Sequence, residues 1–286
     1  MKLRTELSPP IISPTLEANE SVLVLGSCFA ENIGKRLKRG GVEASVNPLG
    51  IQYNPLSISR ILAYISGMID FDEGEVFERL GLYRHWDVHT RLCASTRELT
   101  IKQISTAIAE GVEFIKNARW LYLTLGSAHV WMRGERPVGN CHKMPNALFS
   151  RHLLSVDQCA LALTEHLTHL RHLNPDLHVM ITVSPVRYQR DGLVDSQRSK
   201  ATLLLAAHQV CDQLEGVHYF PAYELLIDDL RDYRFYARDL VHPSELAVDY
   251  IWDHFQRCAI STSLLERINA NERAARRAQH RDLTQG

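Results

Sequence analysis

Ser27 and Cys28 stand side by side after an apolar run, Val22-Leu-Val-Leu-Gly26, and much later Asp239-Leu-Val-His242-Pro-Ser244 sets a carboxylate three positions before an imidazole. A serine hydroxyl becomes a nucleophile only with a base in hydrogen-bond reach and a third group that orients the base. Ser27, His242 and Asp239 suit those roles: attack, proton transfer, and fixing of the ring tautomer. The Asp–His spacing is not unique, because the chain has 14 histidines, and Asp87/His89 and Asp176/His178 also lie close together. Position favours His242, which follows the fifth strand candidate and precedes a helix, whereas His178 begins a strand, at the wrong edge of a sheet. Pro243 suits the first helical position and would make His242 the cap residue. Cys28 is the rival nucleophile. It follows the turn residue and reads more simply as a small buried side chain of the first helix.

A phosphate loop is the other chemistry such a turn offers. The stretch GSCFAENIG has neither the G-x-G-x-x-G spacing nor the G-x-x-x-x-G-K-[ST] pattern that gathers backbone amides around phosphate, so no nucleotide cofactor is expected.

For Ser27 and His242 to meet, several strand ends must share one edge. Short apolar runs at 22–25, 43–46, 121–125, 179–183 and 217–220 read as strands. Helical patterns at 29–39, 57–69, 100–117, 156–173 and 197–214 lie between them, with another at 243–255. Continuous apolar strands alternating with helices predict an α/β fold: three α/β/α layers around a mostly parallel five-stranded, flavodoxin-like sheet. In such sheets ligands bind beyond the carboxyl ends of the strands, where Ser27 falls. Residues 70–96 break the alternation and read as short antiparallel strands over the sheet edge, a candidate lid. Residues 1–20, with Pro9, Pro10 and Pro14, read as an extended arm, 21–256 as one domain, and 257–286 as a charged tail forming a solvated helix or a frayed end.

Composition narrows the partners. Lys plus Arg number 32 against 33 for Asp plus Glu, a formal net charge of −1, so no global field draws nucleic acid or anionic lipid. No run approaches the roughly 18 apolar residues that cross a bilayer, and no signal-type apolar segment follows the N-terminus. The six cysteines contain no CxxC pair and read as free thiols in a cytoplasmic protein, without a metal site. No feature of the sequence sets an oligomeric state.

Several ordered blocks sharpen this reading: GSCFA at 26–30, NPLGIQYNPLSI at 47–58, TLGSAHVW at 124–131, VGNCHKMP at 138–145, SPVR at 184–187 and VHPS at 241–244. Together they resemble the GSCFA family of the SGNH (GDSL-like) hydrolase superfamily. The resemblance implies a serine esterase-type site with Ser27, Asp239 and His242 as triad and no cofactor. Its substrate would be an O-acyl ester, of a sugar or another polar small molecule. The superfamily's oxyanion hole implies Gly50 as one donor. The usual G-x-N-D block is here Gly126-Ser127-Ala128-His129, so the asparagine is missing: either Asn140 replaces it, or the site stabilises its intermediate with fewer donors, or activity is altered. Asn54, Gly126, His142, Lys143 and Arg187 are candidate substrate contacts on the same face. The alternative from another class is a binding module that keeps the fold without turnover.

Overall fold

The computed structural model describes residues 5–8 and 10–284. Along the chain run β1 (Ser21–Gly26), α1 (Cys28–Arg39), β2 (Glu43–Val46), α2 (Pro55–Ile65), β3 (Val76–Arg79), β4 (Leu82–His85), α3 (Arg97–Asn117), β5 (Trp120–Leu125), β6 (His129–Arg133), β7 (Arg136–Val138), β8 (Ser150–Leu153), α4 (Val156–Leu173), β9 (His178–Val183), α5 (Gly192–Gln213), β10 (Val217–Tyr219), α6 (Ala222–Glu224), α7 (Glu245–Ala259) and α8 (Thr262–Thr284). Five of these strands form a parallel sheet in the order β10-β9-β5-β1-β2.

The sheet is buried on both faces because its central strands are mostly apolar, with Thr124 and Thr182 the buried polar exceptions near their carboxyl ends, and alternate residues feed two separate cores. Leu23, Leu25, Leu121, Leu123, Val179 and Ile181 pack under α2, α3, α4 and α5. Val22, Val24, Trp120, Tyr122 and Met180 pack under α1, α7 and α8. Each fully buried leucine of β5 contributes ~1.5–3 kcal/mol, which makes the sheet centre the rigid base of the molecule. The strand order reverses between β1 and β5, so the crevice at their carboxyl ends is where a ligand site is expected.

Two antiparallel excursions leave this frame on the same edge. β3 and β4 form a hairpin within 70–96, as the aromatic and charged stretch predicts. A second sheet, β7-β6-β8, is not foreseen by the sequence reading. Its strands are three to five residues long, and Pro137 in β7 ordinarily argues against a strand. Asp87 ties both excursions to α2: its Oδ2 accepts from Arg60 at 2.6 Å, Tyr64 at 2.6 Å and Arg136 at 2.8 Å. Burial pushes the Asp87 carboxyl up, but His85, the two guanidiniums and the tyrosine hold it below the usual carboxylate range.

The two ends of the chain differ from expectation in one respect. The arm runs beside the start of α8, with Leu16 N donating to Ala259 O at 2.8 Å and Ser261 N to Leu16 O at 3.1 Å. α8 is not simply a solvated helix, because Leu264 and Ile268 are fully buried and Asn271 Nδ2 donates to Gly40 O at 3.0 Å. Three apolar residues, Leu264, Leu265 and Ile268, give the charged tail a stripe that docks on the end of α1.

Candidate active site

β1 ends where only glycine fits. Gly26 has φ +128°, and a Cβ there would lie 2.2 Å from Thr124 O. Asn47 Oδ1 accepts from Gly26 N at 2.8 Å, and Gln52 N donates to Gly26 O at 3.1 Å. The chain thus leaves the sheet in one fixed direction and enters α1 with Ser27 as its cap (φ −70°, ψ 177°). Ser27 Oγ accepts from Phe29 N at 3.3 Å. A helix N-terminus favours negative charge on that oxygen. Cys28 lies inside the first turn, and burial pushes its thiol up, which keeps it protonated and a poor nucleophile.

The Asp239–His242 pair is built from the loop backbone. Asp239 Oδ1 accepts from His242 N at 3.0 Å and Val241 N at 2.9 Å, while Oδ2 meets His242 Nδ1 at 2.7 Å. The His242 amide first, then its ring and the Val241 amide, hold the Asp239 carboxyl down at about 2. The loop is closed by Ala237 N donating to His242 O at 2.8 Å and Ser244 N to Phe235 O at 2.8 Å. Ser244, not His242, caps α7, which begins at Glu245. The expectation of Pro243 at the first helical position is therefore corrected: Tyr236 bridges Pro243 and places His242 on a hairpin-like loop ahead of the helix. Val241 O accepts from Arg187 N at 3.0 Å, which fastens this loop to the segment after β9 and so to the strand edge that carries Ser27. Among the described residues no hydrogen bond joins His242 to Ser27.

The remaining expected residues fall into two groups. Gly50, with φ +96°, is a turn glycine against His89, and its amide donates to Asn47 O at 2.7 Å rather than pointing free. Ser27 N donates to Thr124 O at 3.1 Å, and Gly126 N and Ser127 N both donate to Tyr53 O at 2.7 and 3.0 Å. Asn54 caps α2 through Ser57 and is buried. His142 is also buried, with Nε2 on His85 O at 2.8 Å, and burial lowers it to about 4, so it packs as a neutral ring between the hairpin and the 138–145 loop. Asn140 Oδ1 accepts from His142 N at 2.8 Å, while among the described residues its Nδ2 makes no hydrogen bond. Lys143 is exposed on that loop. Arg187 lies over the Tyr236 ring at 4.1 Å and the Tyr233 ring at 5.0 Å, beside the His242 loop.

Sequence reasoning missed Ser199 and Lys200. Lys200 Nζ donates to Gly126 O and Ser184 O, each at 2.7 Å, and Ser199 Oγ accepts from Ala128 N at 2.7 Å. Both sit in α5 beneath the loops that end β5 and β9. Their only signal was a lysine inside the 197–214 pattern, on the face that must be buried.

The fold resembles several solved proteins distantly. A family 3 carbohydrate esterase from Clostridium thermocellum matches at 10% identity and TM-score 0.38, over 88% of this chain and 98% of its own. A family two carbohydrate esterase from Clostridium thermocellum, solved with cellohexaose, matches at 10% identity and TM-score 0.40, over 86% and 65%. The periplasmic domain of a Salmonella ser. Paratyphi A lipopolysaccharide acetyltransferase matches at 9% identity and TM-score 0.39, over 85% of each chain. Comparison with curated proteins gives no match. The Gly26-Ser-Cys-Phe-Ala30 turn that shapes this site lies within a match to the GSCFA family model spanning residues 21–255, and the protein belongs to that family.

Proposed function

We propose that the protein is a serine-dependent esterase or acyltransferase of the SGNH type, acting on an O-acyl ester of a sugar or another polar molecule. The 2.7 Å Asp239–His242 contact, on a loop fastened to the edge where Ser27 caps α1, carries this reading. In the reaction Ser27 Oγ attacks the acyl carbonyl carbon and its proton passes to His242 Nε2. The tetrahedral oxyanion collapses, the C–O bond to the alcohol breaks, and His242 returns the proton to the departing oxygen. Water or an acceptor hydroxyl then attacks the acyl-Ser27 ester, loses its proton to His242, and releases the acid or the transferred ester. Asp239 engages Nδ1, which leaves Nε2 as the ring nitrogen that takes and returns this proton. Tyr53, 41% exposed beside Gly126, and the Arg187–Tyr233 stack offer flat rings and a cation to a polar substrate.

One observation favours a second reading, a binding module without turnover: the amides of Ser27, Gly50, Gly126 and Ser127 are all bonded within the backbone. A fluorophosphonate probe separates the two. Labelling of the wild type that disappears in Ser27→Ala supports the enzyme; a folded wild type that stays unlabelled supports the module.

Asn140 tests the oxyanion side. As a replacement donor through Nδ2, its change to Ala should lower kcat by ~10²- to 10³-fold with little change in KM. If Asn140 only caps His142 N, the same variant lowers the melting temperature and leaves kcat of the folded protein near wild type.

A further inference from the structure

Lys200 is 3% exposed, and no carboxylate pairs with it among the described residues. An uncompensated ammonium in a protein interior costs several kcal/mol, whereas a methionine of similar length fills the same space freely, so packing alone does not account for a lysine here. Its Nζ spans two carbonyls, Gly126 O and Ser184 O, that close β5 and β9, adjacent strands of the sheet. The preceding residue, Ser199, holds Ala128 N in the same loop. The Gly126-Ser127 turn is thus gripped from below by α5 and from above by Tyr53 O, at the position where the asparagine is missing.

We infer that Lys200 is a positioning residue for the Ser27 site: it ties the ends of β5 and β9 together and keeps a positive charge beneath the edge where acyl transfer accumulates negative charge. This rests on the esterase reading above. In a dry interior such a charge acts at longer range than in water. Tether and charge are separable, because a neutral amine still has two N–H donors for two carbonyls and loses only the charge.

The groups facing Nζ are the Cys28 thiol from α1, the Tyr223 ring at 5.8 Å from α6, and the carbonyls of the β5 and β9 loops. The Cys28 thiol is pushed up by burial and stays uncharged near neutrality. Burial lowers Lys200 to about 7 from 10.5, the value of a free lysine. Between those values the unfolded chain binds the extra proton, so stability rises with pH, while the charge beneath the site is lost and activity falls. A purely structural lysine gives no such opposition.

The experiment first establishes ester turnover by the wild type and its loss in Ser27→Ala; failure there overturns the esterase reading and this inference with it. Then kcat, KM and melting temperature are followed from about pH 6 to 10 for wild type, Lys200→Met and Lys200→Arg. The expected result is a wild-type kcat that falls ~10-fold above neutrality while the melting temperature rises, and a Lys200→Met kcat ~10- to 100-fold lower at pH 6 with KM nearly unchanged. Lys200→Arg, if it folds, should keep its rate and lose the alkaline fall, since a guanidinium stays charged throughout. A wild-type kcat that is flat from pH 6 to 10, or a folded Lys200→Met with wild-type kcat at pH 6, overturns the inference. Either measurement stands without the arginine variant.

Discussion

Ser27→Ala should abolish ester turnover, by ~10⁴-fold or more, in a protein that still folds. Among the described residues the side chain makes one hydrogen bond, from Phe29 N at 3.3 Å, so its removal costs a helix cap of about 1 kcal/mol. Cys28→Ser should keep a substantial part of the rate. The thiol sits in the first turn of α1, pushed up by burial, and plays no part in the steps above. Steady-state kinetics on a generic activated ester, with circular dichroism on each variant, decides the matter. An active Ser27→Ala beside a dead Cys28→Ser would transfer the chemistry from oxygen to sulfur.

Asp239→Asn should slow turnover ~10²- to 10⁴-fold, the range set by the comparable change in a buried triad and discounted because this pair is about half exposed to water. The asparagine oxygen can still accept from the Val241 and His242 amides, so the loop should persist. Its NH₂ group, however, faces His242 Nδ1 as a donor, favours the wrong tautomer and cannot stabilise an imidazolium. The sign of the pH dependence follows from Asp239 lying at about 2: its carboxylate persists on acidification until that region. A fall in wild-type rate well above pH 4 therefore reports another group. Full activity in the asparagine variant, measured as kcat at neutral pH, would remove Asp239 from the site.

The parallel sheet was legible because β1, β5 and β9 carry consecutive apolar runs, 22–25, 121–123 and 179–181, as strands covered on both faces do. α4 was legible to the residue at 156–173 from its leucine stripe, and the structure adds a capping box of Ser155 and Gln158 at its start. The second antiparallel sheet was not, because short strands with Pro137 inside them carry no period long enough to read. At the candidate site, the pairing of Asp239 with His242 could be read from residue type and position, and the two side chains meet at 2.7 Å. The engagement of Gly50, Gly126 and Ser127 could not, because backbone amides look alike in a sequence whether free or bonded. Lys200 escaped for a related reason: a lysine in a helical pattern reads as solvated until the carbonyls above it are known.

If the proposed esterase reading holds, the bonds around Asp87 bear on how a substrate would be chosen. One carboxylate oxygen gathers Arg60 and Tyr64 from α2 and Arg136 from β7, and the hairpin strand β4 leads directly into it. The two antiparallel excursions are therefore bolted to a core helix rather than hung from flexible joints. Opening them would strand a buried anion and two guanidiniums together, so the two excursions act as fixed masonry. On the proposed esterase reading, molecules would be sorted by a rigid outline already present before they arrive, and turnover would not wait on a closing door.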